Sequence, residues 1–382
     1  MKRPFALIGI TYLSVQAALF YLESDLAAAI LTAVCFIGTI VSLFILKNRN
    51  LRHTVLCFCL TAAFASTIFS GYNIFVKQPI VDKYSEREIY VTATVLEQPT
   101  VQYDTYRYLI ETDSINGKIE KLKICLSTIN ELNVEEFDRI SCVLPLKECT
   151  KSQMIADGAF LQASVNKNFA YIVKKTDDKP LYYQAVKIRE NFADSFEQNM
   201  SQDCASLCRA VLLGEKTALS QEIQNDFTRC GVSFLIVVSG MHLAIISSFV
   251  FLCIKKIIKN RVLRSMIMLM CAFSFMAVTG FAPSVVRAGV MLAVVYSGKM
   301  FMRKGDSLNS LGIAALILTV PKPTAVADVG MLLSFTATLG IILWARKISV
   351  YIMGKFAKLK RLKKPVEFTV NLFAVSVSAA VW

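Results

Sequence analysis

Long apolar stretches with almost no charge recur along the whole chain, and they are the feature that most limits how it can fold. A helix of about 20 apolar residues crosses the core of a bilayer. Only 18% of the residues are charged and 55% are hydrophobic, unlike the balance of a soluble domain. The pattern excludes a soluble enzyme and a disordered chain. We predict nine membrane-spanning segments, at residues 5–22, 26–46, 54–76, 233–254, 262–282, 284–302, 307–320, 325–345 and 366–382.

The excess of positive charge lies in short loops between these segments. The formal net charge is +14, yet residues 77–203 hold 16 Lys or Arg against 20 Asp or Glu. With the N-terminus in the cytoplasm, every basic cluster falls on the cytoplasmic side, as the positive-inside rule requires. The sequence therefore predicts a cell-membrane (inner or plasma membrane) protein whose residues 77–230 lie outside the cytoplasm. The basic clusters are at residues 2–3, 47–52, 255–264, 299–304 and 346–364.

The polar region predicts a small β domain. Short alternating runs are found at residues 90–96, 105–110, 120–126 and 139–146, with a final strand at 169–173. Asn116-Gly117 is a hairpin signal. Five short strands indicate a barrel of the OB (oligonucleotide-binding) type. The predicted fold is a polytopic α-helical membrane protein with an OB-like β domain inserted outside the membrane. Its parts are three helices at 1–76, the β domain at 77–176, linking helices at 177–230 and a helical bundle at 231–382.

Two features of this outer region leave alternatives open. Cys125 and Cys142 lie in two candidate neighbouring strands and could form a disulfide, which is permitted outside the cytoplasm; the alternative is a pair of small buried thiols. A basic and aromatic strand face could contact single-stranded DNA; the alternative is a half-exposed strand in a net-acidic domain. The candidate DNA-contact residues are Tyr106, Arg107, Tyr108, Lys121 and Lys123.

A helical pattern begins at residue 181 and carries an apolar stripe. Ile188, Phe192 and Phe196 are spaced four apart, so they share one face of the helix. Such a helix can lie on the outer surface of the membrane or pack against the β domain, and the pattern does not choose between these.

Polar residues within the predicted membrane segments are the candidate pore residues. Ser239-Gly240 can loosen a helix in mid-span, which places His242 near the middle of that span. Arg287 and Asp328 are intramembrane charges, which commonly face a bundle interior or a water-filled path. The alternatives are a hydrogen-bonded buried imidazole for His242, and a snorkelling side chain or structural ion pair for the two charged residues.

The sequence has no recognisable enzyme signature. It lacks Gly-x-Ser-x-Gly, His-Glu-x-x-His, a phosphate loop and Cys-x-x-Cys. We therefore predict no catalytic residue, no metal site and no cofactor. An intramembrane hydrolase using Ser239 and His242 is an alternative, but no third orienting group is evident nearby.

Several blocks of the second half resemble, in order, the competence domain of the ComEC family. The first is Leu212-Leu-Gly-Glu-Lys-Thr-Ala-Leu-Ser220, followed by Phe227 and the segment from Gly231 to His242. The family places a histidine where this chain has Phe234. Later blocks that are similar to the family are Pro283-Ser-Val-Val-Arg287, Arg303-Lys-Gly-Asp306, Asn309, Asp328-Val-Gly330 and Leu333-Ser-Phe-Thr-Ala337.

This resemblance implies an inner-membrane channel that passes single-stranded DNA into the cytoplasm during natural transformation. It also implies DNA-receptor and helicase-type competence proteins as partners. Family members carry a metallo-β-lactamase-like nuclease domain, whose His-x-His-x-Asp-His motif is absent here. We therefore expect the nuclease and remaining helices on another chain, or a truncated and inactive member. A single arginine supplies little positive charge to line a pore for a polyanion such as DNA. This indicates a water-filled pore, a homodimer or missing helices. A transporter or scaffold for another substrate remains the alternative function.

Overall fold

A computed structural model describes residues 3–22, 25–45, 48–97, 99–102, 105–165, 170–175, 182–215, 219–232, 236, 238–302 and 305–355. The chain divides into two compact units. The first comprises Met1–Ser70 together with Ser297–Trp382, and the second is Gly71–Tyr296.

Helices form most of the structure and flank a β domain. They are α1 Pro4–Leu22, α2 Asp25–Ile45, α3 Arg49–Tyr72, α4 Gln78–Tyr84, α5 Ser152–Ala156, α6 Tyr182–Asn199, α7 Gln202–Cys208, α8 Gln221–Arg229, α9 Gly240–Ile257, α10 Arg261–Val278, α11 Pro283–Met300, α12 Ser307–Thr319, α13 Val329–Gly340 and α14 Arg346–Lys355. π-Helical turns follow α3, α7 and α13 at Asn73–Lys77, Arg209–Leu213 and Ile341–Ala345, and a short 3₁₀ turn, Pro323–Ala327, precedes α13.

Five β-strands close into a barrel in the order β1–β3–β5–β7–β6 and back to β1. The β5–β7 pair is parallel, and the other pairs of the ring are antiparallel. Three shorter strands lie beside the ring, with β2 and β4 on β3 and β8 on β6. The strands are β1 Arg87–Val95, β2 Thr100–Gln102, β3 Thr105–Ile115, β4 Lys118–Ile119, β5 Lys123–Thr128, β6 Arg139–Glu148, β7 Ala159–Val165 and β8 Tyr171–Lys174.

The barrel interior is built by alternation along each strand. Val91, Ala93 and Val95 of β1 point into one core, as their spacing predicts, and they meet Ile124 and Leu144 there. The prediction of the last strand needs a correction. Residues 171–174 do form a strand, but it lies outside the ring, and β7 closes the barrel instead.

The predicted disulfide between Cys125 and Cys142 is wrong in this structure, where both thiols are free. β7 lies between β5 and β6, so the two strands are not neighbours. Cys142 packs in the barrel interior, whereas Cys125 belongs to a separate small cluster with Leu109 and Ala159. Burial raises the pKa of Cys142 to about 12, which keeps this thiol protonated and unreactive at neutral pH.

Six helical stretches are long and apolar enough to cross a membrane, among the residues that the structure describes. They are Pro4–Leu22, Leu26–Phe44, Arg49–Tyr84, Gly240–Ile257, Arg261–Val278 and Val329–Tyr351. Of the other predicted segments, 284–302 and 307–320 form α11 and the shorter apolar helix α12. Segment 366–382 lies outside the described residues.

Within the first unit, α1 and α12 pack at backbone contact. A Cβ atom built on Gly312 would lie 2.1 Å from the Phe5 carbonyl oxygen, and one on Gly9 would lie 2.2 Å from the Gly312 carbonyl oxygen. Asp306 caps α12 and forms an ion pair with Arg3 at 2.7 Å, and the Ala6 N–H donates to Asn309 Oδ1. The block around Asp306 and Asn309 therefore holds two helices together.

The helix predicted from residue 181 is present as α6, and the structure shows which of its faces is buried. Val186, Arg189 and Ala193 are buried, and α6 packs against α10. Ile188 and Phe192 of the predicted apolar stripe are 47% and 51% exposed. The protein-facing side of α6 is thus centred on Arg189, and lipid contact by the stripe stays a prediction.

Candidate functional site at the starts of two helices

α9 begins at Gly240, and the described residues just before it, Ile236, Val238 and Ser239, are not helical. Ser239 has extended dihedral angles (φ −134°, ψ 167°), and Ile236 and Val238 are buried without belonging to a helix. The prediction that Ser239-Gly240 loosens a helix in mid-span, with His242 near its middle, is therefore wrong. His242 lies in the first turn of α9.

Ser239 and His242 form the cap of this helix. The Ser239 backbone N–H donates to His242 Nδ1 at 3.1 Å, and Ser239 Oγ lies 3.2 Å from the same nitrogen. Because Nδ1 accepts a backbone N–H, the neutral imidazole carries its proton on Nε2. This is the arrangement of a capping box, in which the third helical residue reaches back to the N-cap.

The cap predicts a specific result for substitutions of His242. His242→Gln supplies another side chain that can accept the Ser239 N–H, so it should keep thermal stability close to that of the natural protein. His242→Leu removes the acceptor and should cost about 1 kcal/mol of unfolding free energy. The measurement is the melting temperature of the purified variants. Equal loss in both variants would show that the imidazole has a role other than capping.

The start of α11 packs directly on this capped segment. The Ser284 hydroxyl donates to the Val238 carbonyl oxygen at 2.8 Å. A Cβ atom on Gly240 would lie 2.8 Å from the Ala288 Cβ, so only glycine permits the observed approach of α9 to α11. Val238, Leu243, Ala272 and Val285 form the core beneath the contact. The two motif blocks are therefore brought together by the fold.

Arg287 lies in the second turn of α11, beside this contact, and is half-buried. α9 and α11 both begin at the junction. The first backbone N–H groups of each helix have no intrahelical acceptor and contribute partial positive charge there. The junction thus contains a guanidinium and two helix N-termini, groups that favour a nearby anion. The junction of Ser239, Gly240, His242 and Arg287 is the candidate functional site.

Asp328, the other charged candidate, lies at the start of α13. Its Oδ1 accepts from the Gly330 N–H at 2.9 Å, so it is the N-cap of α13. It belongs to the first compact unit, whereas Arg287 belongs to the second.

The candidate DNA-contact residues of the barrel do not share a face. Tyr108 is only 1% exposed and lies in the barrel core, where its hydroxyl accepts from the Leu132 N–H at 2.8 Å. Burial raises the pKa of Tyr108 to about 12. Tyr106 also packs against the core, and Arg107 lies between these two tyrosines on the opposite side of β3. Lys123 is in β5 and Lys121 in the segment before it. Tyr108 is thus wrong as a DNA-stacking residue, because its ring is inside the barrel.

A buried group of charged residues is the feature that sequence reasoning missed. Arg189 of α6 forms ion pairs with Glu136, in the segment before β6, and with Glu215, after the π-helical turn. Burial raises the pKa of the Glu136 carboxyl, and the Arg189 guanidinium opposes that shift. The one signal in the sequence was the presence of Glu215 in the Leu212-Leu-Gly-Glu block.

Comparison with known proteins shows that the motif blocks lie in a region that matches a protein family. Residues 211–382 match the family model described as Competence protein. The resemblance to the ComEC family is confirmed. The chain is also similar to ComE operon protein 3 from Bacillus subtilis (strain 168), with 20% identity over 325 residues. The alignment covers 83% of this chain and 41% of that relative. No solved structure matches the chain significantly.

The matched region includes both motif blocks of the candidate site. Ser239 to His242 and Pro283 to Arg287 lie within residues 211–382, as does Glu215. The barrel lies outside the region that matches the Competence family model. The family likeness is thus most specific in the helical part that contains the α9–α11 junction.

Proposed function

We propose that this chain is a component of a membrane channel that passes single-stranded DNA into the cytoplasm during natural transformation. The match to the Competence family supports a role in competence. The six long apolar helices are consistent with a membrane protein. The chain spans about two fifths of the length of the relative it matches.

The observation that carries the proposal is the contact between the two family-like blocks. Ser284 binds Val238, and Gly240 meets Ala288, so residues 46 and 48 positions apart form one packed junction with Arg287 beside it. A DNA strand carries one negative charge per nucleotide, and the guanidinium and helix N-termini of this junction are groups that suit such a polyanion. We therefore propose that the strand passes close to Arg287.

We propose that the barrel is an OB-like domain on the outer side of the membrane. Its ring order and the parallel β5–β7 pair support the OB assignment. The distribution of basic loops supports its placement outside the cytoplasm, with the N-terminus inside. Because the candidate contact residues do not share a face, the proposed DNA contact is in the helical part and not on β3.

We propose a non-enzymatic role for this chain. A separate nuclease, a DNA receptor and a helicase-type motor would then be its partners, and the lipid bilayer its surroundings. A second copy of the chain would supply a second Arg287 to the path.

Deletion of the gene tests this function in the organism that carries it. Cells are given duplex DNA labelled with a fluorophore and a selectable marker. The deletion should abolish transformants and DNase-resistant label inside the cytoplasm, while DNA bound at the surface stays at the natural level. Complementation with the full coding sequence should restore uptake. Transformants introduced by electroporation serve as the control for recombination and marker expression.

Two outcomes would contradict the proposal. Normal uptake in the deletion strain would exclude a required role in DNA transfer. Loss of surface-bound DNA, as well as imported DNA, would indicate a scaffold for the receptor rather than a channel component.

A further inference from the structure

Five charged side chains meet where the barrel adjoins the helices of the second unit. Glu136 comes from the segment before β6, and Arg189 and Glu197 come from α6. Arg209 begins the π-helical turn, and Glu215 follows that turn. Three of these side chains, those of Glu136, Arg189 and Glu215, are at most 7% exposed.

Arg189 is the centre of this group. Its Nη2 pairs with a Glu136 carboxylate oxygen, and its Nε lies 3.2 Å from Glu215 Oε1. The other Glu215 oxygen, Oε2, is 2.9 Å from Arg209 Nη2 and accepts from Arg209 Nε at 2.9 Å. The Glu215 carboxylate is therefore held by two guanidinium groups, one on each oxygen.

One glycine turn lies against the guanidinium, and a second glycine packs on the same loop. Gly280 has φ +67°, and a Cβ atom there would lie 2.9 Å from Arg189 Nη1. Gly214 has φ +88°, and a Cβ atom there would lie 3.5 Å from the Thr279 carbonyl oxygen. The loop after α10 thus closes over Arg189 because it has no side chain at residue 280.

An aromatic contact runs beside the ion pairs. The ring of Tyr182 lies 5.9 Å from that of Phe137 and 5.4 Å from that of Phe281. Phe137 and Phe281 both have positive φ, +69° and +51°, which is unfavourable for a phenylalanine. Tertiary packing holds these two strained residues, one on the barrel and one on the loop after α10.

We propose that Glu136, Arg189 and Glu215 form a joint that fixes the barrel on the helical part, with Arg189 as its positioning residue. Apolar surfaces alone would tolerate sliding, whereas buried ion pairs have one good geometry. Loss of Arg189 removes the cation that pairs with the buried Glu136 carboxylate, and loss of either glutamate removes one of the two anions that pair with Arg189. Glu215, in the first family-like block, is then a docking residue for the barrel and does not line the DNA path.

Hydrogen–deuterium exchange of the full chain in lipid nanodiscs tests the joint without requiring DNA transfer. The variants are Glu136→Gln, Arg189→Met and Glu215→Gln. Each should speed exchange by about tenfold in three segments together, residues 129–138, 182–199 and 209–215, because breaking the joint frees all of them. Exchange in β1 and β7 should not change. The triple variant, which removes all three charges, should exchange more slowly than Arg189→Met.

The neighbouring Glu135 provides a matched control. It pairs with Lys175 at 3.3 Å, but these side chains are 56% and 76% exposed. Glu135→Gln should leave exchange unchanged in every segment.

Two results would overturn the joint. Faster exchange that stays within the mutated segment would mean that the three segments are independent. Faster exchange that spreads through β1 and β7 would mean that these residues stabilise the barrel itself and do not attach it.

Discussion

Replacing Gly312 with leucine should remove nearly all folded protein from the cell. A Cβ atom at this position would lie 2.1 Å from the Phe5 carbonyl oxygen and 2.9 Å from the Ala6 Cα. Both atoms are backbone, so no side chain can rotate away, and α1 would have to separate from α12. Close helix packing through small residues is lost, and the ion pair and hydrogen bonds at the same helix ends are weakened with it. We expect a cost of about 3 kcal/mol or more.

The measurement is protein abundance in membranes, followed by the melting temperature of any purified variant. Gly298→Leu is the matched control, because a Cβ atom at Gly298 meets nothing within 4 Å. Gly9→Leu should reproduce the Gly312 result from the other helix. Normal abundance of Gly312→Leu would show that α1 and α12 do not make this contact.

Replacing Arg287 with leucine should block DNA import while the protein remains at its natural level. If the guanidinium compensates phosphate charge on the path, its loss leaves the passing strand without that stabilisation. Even about 1.4 kcal/mol at the limiting step lowers the import rate tenfold. Arg287→Lys should retain part of the import, since the charge survives and the planar fork is lost.

Import and abundance have to be measured together in these variants. Lys299→Leu, in the last turn of the same helix, removes an equal charge at an exposed position and should import normally. Normal import by Arg287→Leu would remove Arg287 from the proposed path. A fall in abundance that matches the fall in import would assign it to structure.

Alternation along strands was sufficient to predict much of the barrel. Val91, Ala93 and Val95 occupy the interior as their spacing of two requires. The spacing did not reveal which face of β3 is interior, because Tyr106 and Tyr108 are amphipathic and suit either side. The sequence pattern also did not reveal the order of the strands in the barrel. β5 and β6 are consecutive among the predicted strands, but the ring places β7 between them, which separates Cys125 from Cys142.

The sequence singled out the residues of the candidate site, but it did not reveal their backbone conformation. Residues 233–239 are as apolar as a membrane helix, so hydropathy did not reveal that the helix begins at Gly240. The capping role of His242 depends on a helix that starts two residues earlier, which only the backbone reveals. The joint at Arg189 was beyond sequence reasoning, because its partners come from positions 136 and 215 and charge pairing over such distances has no local pattern.

The closed ring of the barrel has a consequence for how the chain is made. β1 pairs with β6, so Val91 faces Cys142, and the ring is complete only when β7 arrives at residue 165. At 5–20 residues per second, ribosomes need roughly 4–15 s to synthesise the stretch between Val91 and that point. During this interval the ring is open, first at β1 until β6 is made and then at β5 and β6 until β7 is made, and an open edge can pair with a wrong strand. Nascent chains are therefore most vulnerable to misfolding before the ribosome passes residue 165, and a pause in translation upstream of that codon should be more harmful than one downstream.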